Sequence, residues 1–198
     1  MSRRAERQRR TRETDIVVHL ELDGAGVADV ESGIGFFDHM LDAFARHAGY
    51  DLYVRSTGDL HIDAHHSVED IGIVMGAAFL EAIGEKRGIA RFADATVPLD
   101  EALVRAVVDI SGRPFLHFAV DLPVGQPRIG DFDAALLGEF WRAFASEARL
   151  TLHLDLLRGV NAHHIAEATF KAAARALGTA SRVDPARSAE VPSTKGVL

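Results

Sequence analysis

The sequence predicts an α+β protein: an internally duplicated ββαβα unit, giving two small sheets with the helices packed between them. Three observations predict this class. Short strand-like segments precede each amphipathic segment, both halves have the same order of elements, and a His-His-x-x-Glu motif recurs 98 residues later. A chain of 198 residues with 47% hydrophobic content can bury the core that two such units need.

The first unit is predicted over residues 13–98 and begins with two strands. Residues 13–22 and 27–32 are rich in β-branched side chains, and Gly24-Ala25-Gly26 between them is typical of a turn. We therefore expect these two strands to form a hairpin.

The remainder of the first unit is predicted to be helix, strand and helix. Apolar residues recur at spacings of three and four over residues 36–47, and Gly49 can end that helix in a left-handed conformation. A strand follows at 51–57. A long apolar helix is predicted over residues 65–83, with Gly84 at its C-terminal end.

The second unit is predicted over residues 99–178, with Pro98 in a turn that marks the boundary between the units. Gly178 is expected to cap its last helix, and residues 179–198 are expected to form a C-terminal tail without regular structure. The predicted elements are strands at 101–110 and 115–121, a helix at 132–146, a strand at 151–157 and a helix at 162–177.

The first twelve residues are predicted to be a basic tail, because six of them are arginine and Glu6 is the one acidic residue among them. The remaining chain has 16 basic and 28 acidic residues. A basic tail would suit nucleic acid, but the segment has no interleaved aromatic residues and no recognisable binding motif. We expect a solvated, partly disordered terminus and no nucleic-acid partner.

No segment of the sequence predicts insertion into a membrane. The longest apolar run, Ile71–Leu80, is too short to cross a bilayer, and no secretion signal precedes it. We therefore expect a cytoplasmic protein without a membrane partner. Because the chain has no cysteine, any bound metal must be held by imidazole and carboxylate groups.

The two His-His-x-x-Glu motifs are the strongest functional signal. Adjacent helical residues are turned apart by about 100°, so the two histidines of each pair must point in different directions. A single motif at a helix start is equally typical of a solvated turn, but two equivalent copies favour a pair of octahedral sites for Mn²⁺, with Fe²⁺ or Zn²⁺ as competitors. The residues are His65, His66, Glu69, His163, His164 and Glu167.

Further ligands are predicted on the preceding helix of each unit. His39 lies 26 residues before His65, and Glu139 lies 24 residues before His163, so each can add a ligand within its own unit. His47, two turns after His39, can line the same site; a capping or buried structural role explains it equally well.

Four cations lie in or near turns and are candidates for phosphate binding: Arg91, Arg113, Lys171 and Lys195. Guanidinium and ammonium groups beside hydroxyl and backbone donors suit a phosphate monoester. Taken singly, each is more often a surface charge.

Six strings of residues closely resemble the imidazoleglycerol-phosphate dehydratase family, from about residue 11 to the C-terminus. These motifs are long, which makes the resemblance specific. They are TRET at 11–14, GIGFFDHML at 33–41, GDLHIDAHHSVED at 58–70, ISGRP at 110–114, NAHHIAEATFKAAARAL at 161–177 and PSTKG at 192–196.

The resemblance implies a metal site and a phosphate site. Two Mn²⁺ per subunit would be bound by His39, His65, His66, Glu69, His163, His164 and Glu167, with Glu139 at a position that is histidine in some members. The phosphate would be bound by Arg91, Arg113, Lys171, Ser193 and Lys195. Glu13 would act as an acid or base, with Glu167 as the alternative catalytic carboxylate.

The resemblance further implies the reaction, a hydro-lyase step of histidine biosynthesis. Water is removed from D-erythro-imidazoleglycerol phosphate to give imidazole acetol phosphate, in a homo-oligomer of twenty-four subunits with metals at the subunit contacts. Two alternatives remain open from the residues themselves. They are another metal-dependent lyase or hydrolase of a phosphorylated small molecule, and a non-catalytic metal-storage shell. A ferritin-like bundle also uses paired Glu and His residues, but the predicted strands argue against it.

Overall fold

The computed structural model describes residues 3–198, which form ten strands and four α-helices. The strands are β1 (Arg4–Arg10), β2 (Thr14–Glu21), β3 (Ala28–Glu31), β4 (Asp51–Gly58), β5 (Phe92–Leu99), β6 (Ala102–Asp109), β7 (Phe115–Ala119), β8 (Arg128–Ile129), β9 (Phe132–Asp133) and β10 (Thr151–Arg158). The helices are α1 (Gly35–Ala48), α2 (His65–Ile83), α3 (Leu136–Glu147) and α4 (Ala162–Ala180).

Two four-stranded sheets have the same topology. The first has the order β1-β2-β4-β3 and the second β5-β6-β10-β7. In each sheet the first and second pairs of neighbouring strands are antiparallel, and the third pair is parallel. The α+β class and the duplication are therefore confirmed, and each unit contains one more strand at its start than the sequence predicts.

The helices lie between the two sheets, as predicted. Helix α2 packs on β1 and β2, α4 packs on β5 and β6, and the units meet where α1 contacts α4 and α2 contacts α3. Buried aromatic rings fill this interface. The ring centroids of Phe140 and Phe170 are 5.4 Å apart, and those of Trp141 and Phe170 are 4.9 Å apart.

The prediction of a disordered basic tail is wrong for the described part of the N-terminus, although Met1 and Ser2 lie outside the described residues. Strand β1 pairs with β2 over its whole length. Arg3 and three arginines of β1 form ion pairs with acidic groups of the first unit, so the charge of this segment has partners within the fold. The pairs are Arg3–Asp23, Arg7–Glu81, Arg9–Asp70 and Arg10–Asp15.

The predicted hairpin and the predicted unit boundary are also wrong. Strands β2 and β3 do not pair with each other, because β4 lies between them. Pro98 lies within β5, opposite Leu103 of β6, and the turn follows it at Asp100–Glu101. Since β5 is an edge strand, the missing proline N–H leaves no gap in the sheet.

The start of α3, the end of α4 and the C-terminal tail differ from the prediction. Residues 128–133 form the small β8–β9 hairpin, so α3 begins at Leu136 instead of residue 132. Helix α4 continues through Gly178 to Ala180, and a Cβ on Gly178 would lie 2.4 Å from the Ala48 carbonyl oxygen of α1. This glycine therefore permits a close helix crossing instead of a cap. The tail contains a 3-10 helix at Pro185–Arg187.

Within residues 3–198, none of the helices combines the length and apolar character that a bilayer crossing requires.

We expect Gly76→Ala to destabilise the fold, because α2 and α3 cross closely at this glycine. An added Cβ would lie 2.6 Å from the Phe144 carbonyl oxygen, a backbone atom that cannot move aside easily. Overpacking of this kind costs roughly 1–3 kcal/mol. The control is Gly138→Ala in α3, where the nearest atom is a Phe118 ring carbon at 3.6 Å. Denaturant unfolding should show a loss for Gly76→Ala and none for Gly138→Ala.

Candidate active site

Both histidine pairs lie in the first turn of a helix, and in each case a side chain two residues before the pair accepts a hydrogen bond from the backbone of that turn. The Asp63 carboxylate accepts a hydrogen bond from the His65 backbone N–H at 2.8 Å. The Asn161 side-chain oxygen accepts from the backbone N–H groups of His163 and His164 at 2.9 and 3.3 Å. Asn161 is the N-cap residue of α4, and the Asp63 bond holds the first turn of α2, so both interactions help to fix where the histidines lie.

Three predicted ligands meet where α1 contacts α4, and we call His39, His163 and Glu167 the α1–α4 group. Their donor atoms lie within 4.8 Å of one another. One Glu167 carboxylate oxygen is 3.1 Å from His163 Nε2 and 3.4 Å from His39 Nε2. This carboxylate is nearly buried, with a side-chain exposure of 13%. The group has the dimensions of a metal site.

A second group lies where α2 contacts α3, and we call His65, Glu69 and Glu139 the α2–α3 group. Their donor atoms also lie within 4.8 Å of one another, and His65 Nε2 is 4.0 Å from a Glu69 oxygen. Glu139 additionally forms an ion pair with Arg142 on its own helix. Glu139 therefore occupies in the α2–α3 group the position that His39 occupies in the α1–α4 group.

Each group draws its residues from both units, which corrects the expectation that His39 and Glu139 serve their own units. His39 of the first unit joins the second motif, and Glu139 of the second unit joins the first motif. The reason is the packing of α1 on α4 and of α3 on α2 across the interface.

The second histidine of each pair points away from these groups. The His65 and His66 rings are inclined at 83° and the His163 and His164 rings at 84°, as expected for adjacent residues of a helix. His66 and His164 are predicted ligands that the structure does not bring into either group of the same chain.

A carboxylate holds each of these outward histidines through Nδ1. His66 Nδ1 lies 3.0 Å from Asp59, and His164 Nδ1 lies 2.7 Å from Glu101. The Asp59 hydrogen bond raises the pKa of His66, and Glu101 does the same to the pKa of His164. In turn, the hydrogen bond from His164 lowers the pKa of Glu101 to about 2. A carboxylate on Nδ1 leaves Nε2 to face a metal, as is common for ligating histidines.

Asp59 and Glu101 were missed by the sequence analysis. A signal for Glu101 exists in the duplication, because Glu101 immediately precedes β6 as Glu13 immediately precedes β2. Asp59 has no counterpart of this kind, because it follows Gly58, whereas the equivalent Gly159 of the second unit is followed by Val160.

Glu13 lies at the edge of the first motif. Its carboxylate is 3.9 Å from His66 Nδ1, and its side chain is 55% exposed. The Glu13 backbone N–H donates to Thr11 Oγ1 at 3.0 Å, which fixes the turn before β2. An accessible carboxylate beside a predicted metal ligand is suitably placed to exchange protons with a bound substrate.

Lys171 lies beside the α1–α4 group. Its ammonium is 2.6 Å from the second Glu167 oxygen. Burial acts to raise the pKa of Glu167, but the hydrogen bond and charge of Lys171, together with His163 and His39, outweigh it, so the pKa is lowered. Burial, reinforced by Lys171 and Arg175, lowers the pKa of His47. Both effects keep these side chains in the forms that can bind a cation.

The other predicted phosphate residues lie along one edge of the second sheet. Arg91 donates to Asp109 at 2.8 Å and to the Pro192 carbonyl oxygen at 2.8 Å, which fastens the C-terminal segment to this edge. Arg113 lies 3.8 Å from the same Asp109. Next to Pro192, Ser193 Oγ accepts from the backbone N–H of Lys195 at 3.2 Å. The structure thus brings Arg91 and Arg113 to Asp109 and fastens the segment that carries Ser193 and Lys195 to Arg91 through Pro192, whereas Lys171 lies beside the α1–α4 group.

Comparison with known proteins gives the same family as the motifs. The family model described as imidazoleglycerol-phosphate dehydratase matches residues 32–177. The chain is 59% identical over 197 residues to the imidazoleglycerol-phosphate dehydratase of Gluconobacter oxydans, a match that covers 100% of this chain and 98% of that protein. The chain belongs to the imidazoleglycerol-phosphate dehydratase family.

Other relatives agree over nearly the whole length. The enzyme of that name from Acidiphilium cryptum is 56% identical over 198 residues, with 100% of both chains covered. A crystal structure of imidazoleglycerol-phosphate dehydratase from Staphylococcus aureus has a TM-score of 0.83 at 41% identity, covering 91% of this chain and 99% of that one. The family resemblance stated from the sequence is confirmed, and the chain is a dehydratase, which is a carbon–oxygen lyase.

A cavity of about 760 Å³ adjoins the α2–α3 group, and His65 and Glu139 are part of its lining. Phe36, Ile62 and Phe132 supply apolar surface to the same cavity. A volume of this size is in the range of small-molecule sites.

Proposed function

We propose that this dehydratase converts D-erythro-imidazoleglycerol phosphate to imidazole acetol phosphate in histidine biosynthesis, using two Mn²⁺ per subunit. One observation carries the proposal. The chain of this family contains two groups of imidazole and carboxylate donors. The donor atoms of each group lie within 4.8 Å of one another, and each group takes residues from both halves of the chain.

The donor chemistry fits manganese. Imidazole nitrogens and carboxylate oxygens suit octahedral Mn²⁺, although Fe²⁺ and Zn²⁺ remain competitors for the same ligands. The α1–α4 group would hold one ion and the α2–α3 group the other. When bound, such ions would polarise the imidazole ring of the substrate as Lewis acids.

The dehydration needs a group that removes a proton from carbon while the neighbouring hydroxyl leaves as water. The resulting enol then becomes the ketone. Glu13 is the better of the two candidate carboxylates, because it is 55% exposed and its described ion-pair contact is the long one of 3.9 Å to His66 Nδ1. Glu167 is shared by two histidines and Lys171, which leaves it little freedom to accept a substrate proton. A positioned base of this kind contributes about 10²–10⁴-fold to a rate.

The substrate phosphate would bind at the edge of the second sheet. Arg91 and Arg113 provide guanidinium donors beside the segment that carries Ser193 and Lys195. The Arg91 guanidinium bonds Asp109 at 2.8 Å, and Arg113 lies 3.8 Å from the same carboxylate, which supports a phosphate site arranged around Asp109. Lys171 and His47 are proposed to line the substrate near the α1–α4 group.

We expect Lys195→Ala to lower kcat/KM about tenfold or more, because it removes a charge-assisted contact worth roughly 1.5–3 kcal/mol. Metal content should stay normal. The matched control is Arg187→Ala, an exposed cation of the same C-terminal segment that is absent from the proposed site. Unaltered kcat/KM in Lys195→Ala would show that Lys195 does not bind the phosphate, which would then be bound by Arg91, Arg113 and Lys171.

We also propose that the subunits form a homo-oligomer, for which the family resemblance implies twenty-four copies. Each group has three ligands from one chain, whereas an octahedral ion takes six. His66 and His164 point outward with their Nδ1 atoms held by carboxylates, so their Nε2 atoms are suited to complete the site of a neighbouring subunit. A cytoplasmic location is part of the same proposal.

Removal of metal should therefore shrink the particle, since metal binding and assembly are linked when ligands come from more than one chain. Light scattering before and after treatment with a chelator at low pH measures the mass. Readdition of Mn²⁺ at neutral pH should restore the mass. If the mass is the same with and without metal, shared ligands are not what holds the subunits together.

A coupled assay for imidazole acetol phosphate tests the reaction itself. The Mn²⁺-loaded protein should form this product from imidazoleglycerol phosphate and leave other phosphorylated polyols unchanged. Metal binding without product formation would support a storage shell, and turnover of a different phosphorylated substrate would support another lyase or hydrolase.

A further inference from the structure

A buried polar network joins α2 to the start of β2. The Asp70 carboxylate, whose side chain is 9% exposed, accepts from Thr14 Oγ1 at 2.5 Å and from the Arg9 guanidinium at 2.5 Å. Thr14 itself is 3% exposed. Asp70 immediately follows Glu69 of the α2–α3 group, so the network begins at a proposed metal helix.

The network continues to the turn that carries Glu13. Thr14 Oγ1 lies 3.3 Å from Thr11 Oγ1, and Thr11 Oγ1 accepts from the backbone N–H groups of Glu13 and Thr14 at 3.0 Å each. A continuous series of hydrogen bonds therefore runs from Asp70 through Thr14 and Thr11 to the Glu13 backbone. Hydrogen bonds to a buried charge are the stronger kind and fix geometry more closely.

The second unit fills the equivalent space with apolar side chains. Thr14 begins β2 as Ala102 begins β6, and residues 98 positions after Ser67 and Asp70 are Ile165 and Ala168. The packing agrees with this correspondence. A Cβ on Gly58 would touch Ser67 and Thr14, and a Cβ on Gly159 would touch Ile165 and Ala102.

Stability of the fold does not account for this difference. The same topology forms in the second unit with alanine and isoleucine at these positions. Replacing a buried ion pair by apolar residues is often neutral or stabilising, because the charges no longer lose their hydration. The carboxylates before these strands are held differently. Glu101 of the second unit lies 2.7 Å from His164 Nδ1 and accepts from the backbone N–H groups of Val160 and Asn161. The Glu13 carboxylate lies 3.9 Å from His66 Nδ1, and the Glu13 hydrogen bond to the Asp70 network is made by its backbone.

We propose that Asp70 is a positioning residue that acts through Thr14 to hold Glu13 against the metal-binding end of α2. The inference rests on the proposed role of Glu13 in the dehydration. Asp70 and Thr14 are not proposed to touch metal or substrate. They determine the position of Glu13, which is proposed to touch the substrate.

Replacing Thr14 by valine tests the proposal, because valine has nearly the same shape and lacks the hydroxyl. We expect kcat to fall at least tenfold, KM to change by less than about threefold, and the Mn²⁺ content per subunit to stay the same. Thr14→Ser keeps the hydroxyl and should retain kcat within about threefold. The matched control is Thr169→Val in α4, a buried threonine whose hydroxyl bonds the Ile165 carbonyl oxygen of its own helix. Its kcat should remain within about twofold of the starting value.

A double-mutant cycle separates positioning from general damage to the fold. In the Glu13→Gln background, Thr14→Val should lower kcat by less than about twofold, because the group that it positions is already disabled. An equal loss in both backgrounds, or a Thr14→Val enzyme with unchanged kcat, would overturn the proposal. If Glu13→Gln alone has normal kcat, the role of Glu13 is wrong, and if the starting enzyme makes no product, the proposed function is wrong.

Discussion

Glu167→Ala is expected to reduce bound Mn²⁺ from about two ions to about one per subunit. Glu167 is the residue through which the α1–α4 group is joined, with His39 and His163 both within 3.4 Å of one carboxylate oxygen. Its removal also leaves Lys171 without its 2.6 Å partner, which places an uncompensated positive charge beside the vacated ligand position. Both effects oppose binding of a divalent cation.

Activity should fall with the metal, by about 10³-fold or more, since a bound ion supplies several kcal/mol of transition-state stabilisation. Elemental analysis and the coupled assay measure the two effects on the same sample. Glu81→Ala is the matched control. Glu81 lies on α2, which carries His65 and Glu69, but it is near the C-terminal end of that helix, where it pairs with Arg7. If Glu167→Ala still binds two ions, the α1–α4 group is not a metal site.

Glu13→Gln should lower kcat by about 10²–10⁴-fold while both ions remain bound. Glutamine keeps the shape of the side chain but cannot accept a proton at neutral pH. The backbone N–H of residue 13 still bonds Thr11 Oγ1, so the turn before β2 should be preserved. We expect KM to change little, because the proposed phosphate contacts lie at the edge of the second sheet.

The matched control for this change is Asp15→Asn, two residues further along the same segment. Asp15 pairs with Arg10 and accepts from Gln8 within the β1–β2 pair, away from the histidines. Its kcat should be unchanged. A Glu13→Gln enzyme with normal kcat would show that Glu13 is not the proton acceptor, and Glu167 or another group would have to take that role.

The helices were predictable because their signals are local. Helix α2 has the predicted bounds of residues 65–83, and Gly49 ends α1 in a left-handed conformation with φ of 76°. The helical spacing of apolar residues and a terminal glycine are both contained within one segment of sequence. The repeated motif also gave the duplication.

The missed strands β1 and β5 are both edge strands. Strand β1 consists of charged and polar residues around one buried residue, Ala5, and in β5 a proline occupies an inner position of the strand. Charges and proline are frequent on sheet edges, where they prevent further pairing, but along a sequence they resemble a tail or a turn. The β2–β3 hairpin was wrongly predicted for a related reason. Strand β4 lies between β2 and β3, and this pairing depends on residues distant in sequence.

The ligand residues were predictable, but their grouping was not. The motif spacing identifies which side chains share a helix face, whereas the partner of each face depends on how α1 packs on α4 and α3 on α2. Asp70 was likewise missed, because it reads as one more acidic residue beside Glu69. Its bond to Thr14 spans 56 residues of sequence.

The dependence of the reaction on two ions can be measured by titrating the metal-free protein with Mn²⁺ and following imidazole acetol phosphate in the coupled assay. We expect no product without metal, a rise in rate as Mn²⁺ is added, and a plateau at about two ions per subunit, one for each group. A chelated protein that forms the product at the full rate would contradict the two-metal proposal, and so would a plateau at one ion per subunit.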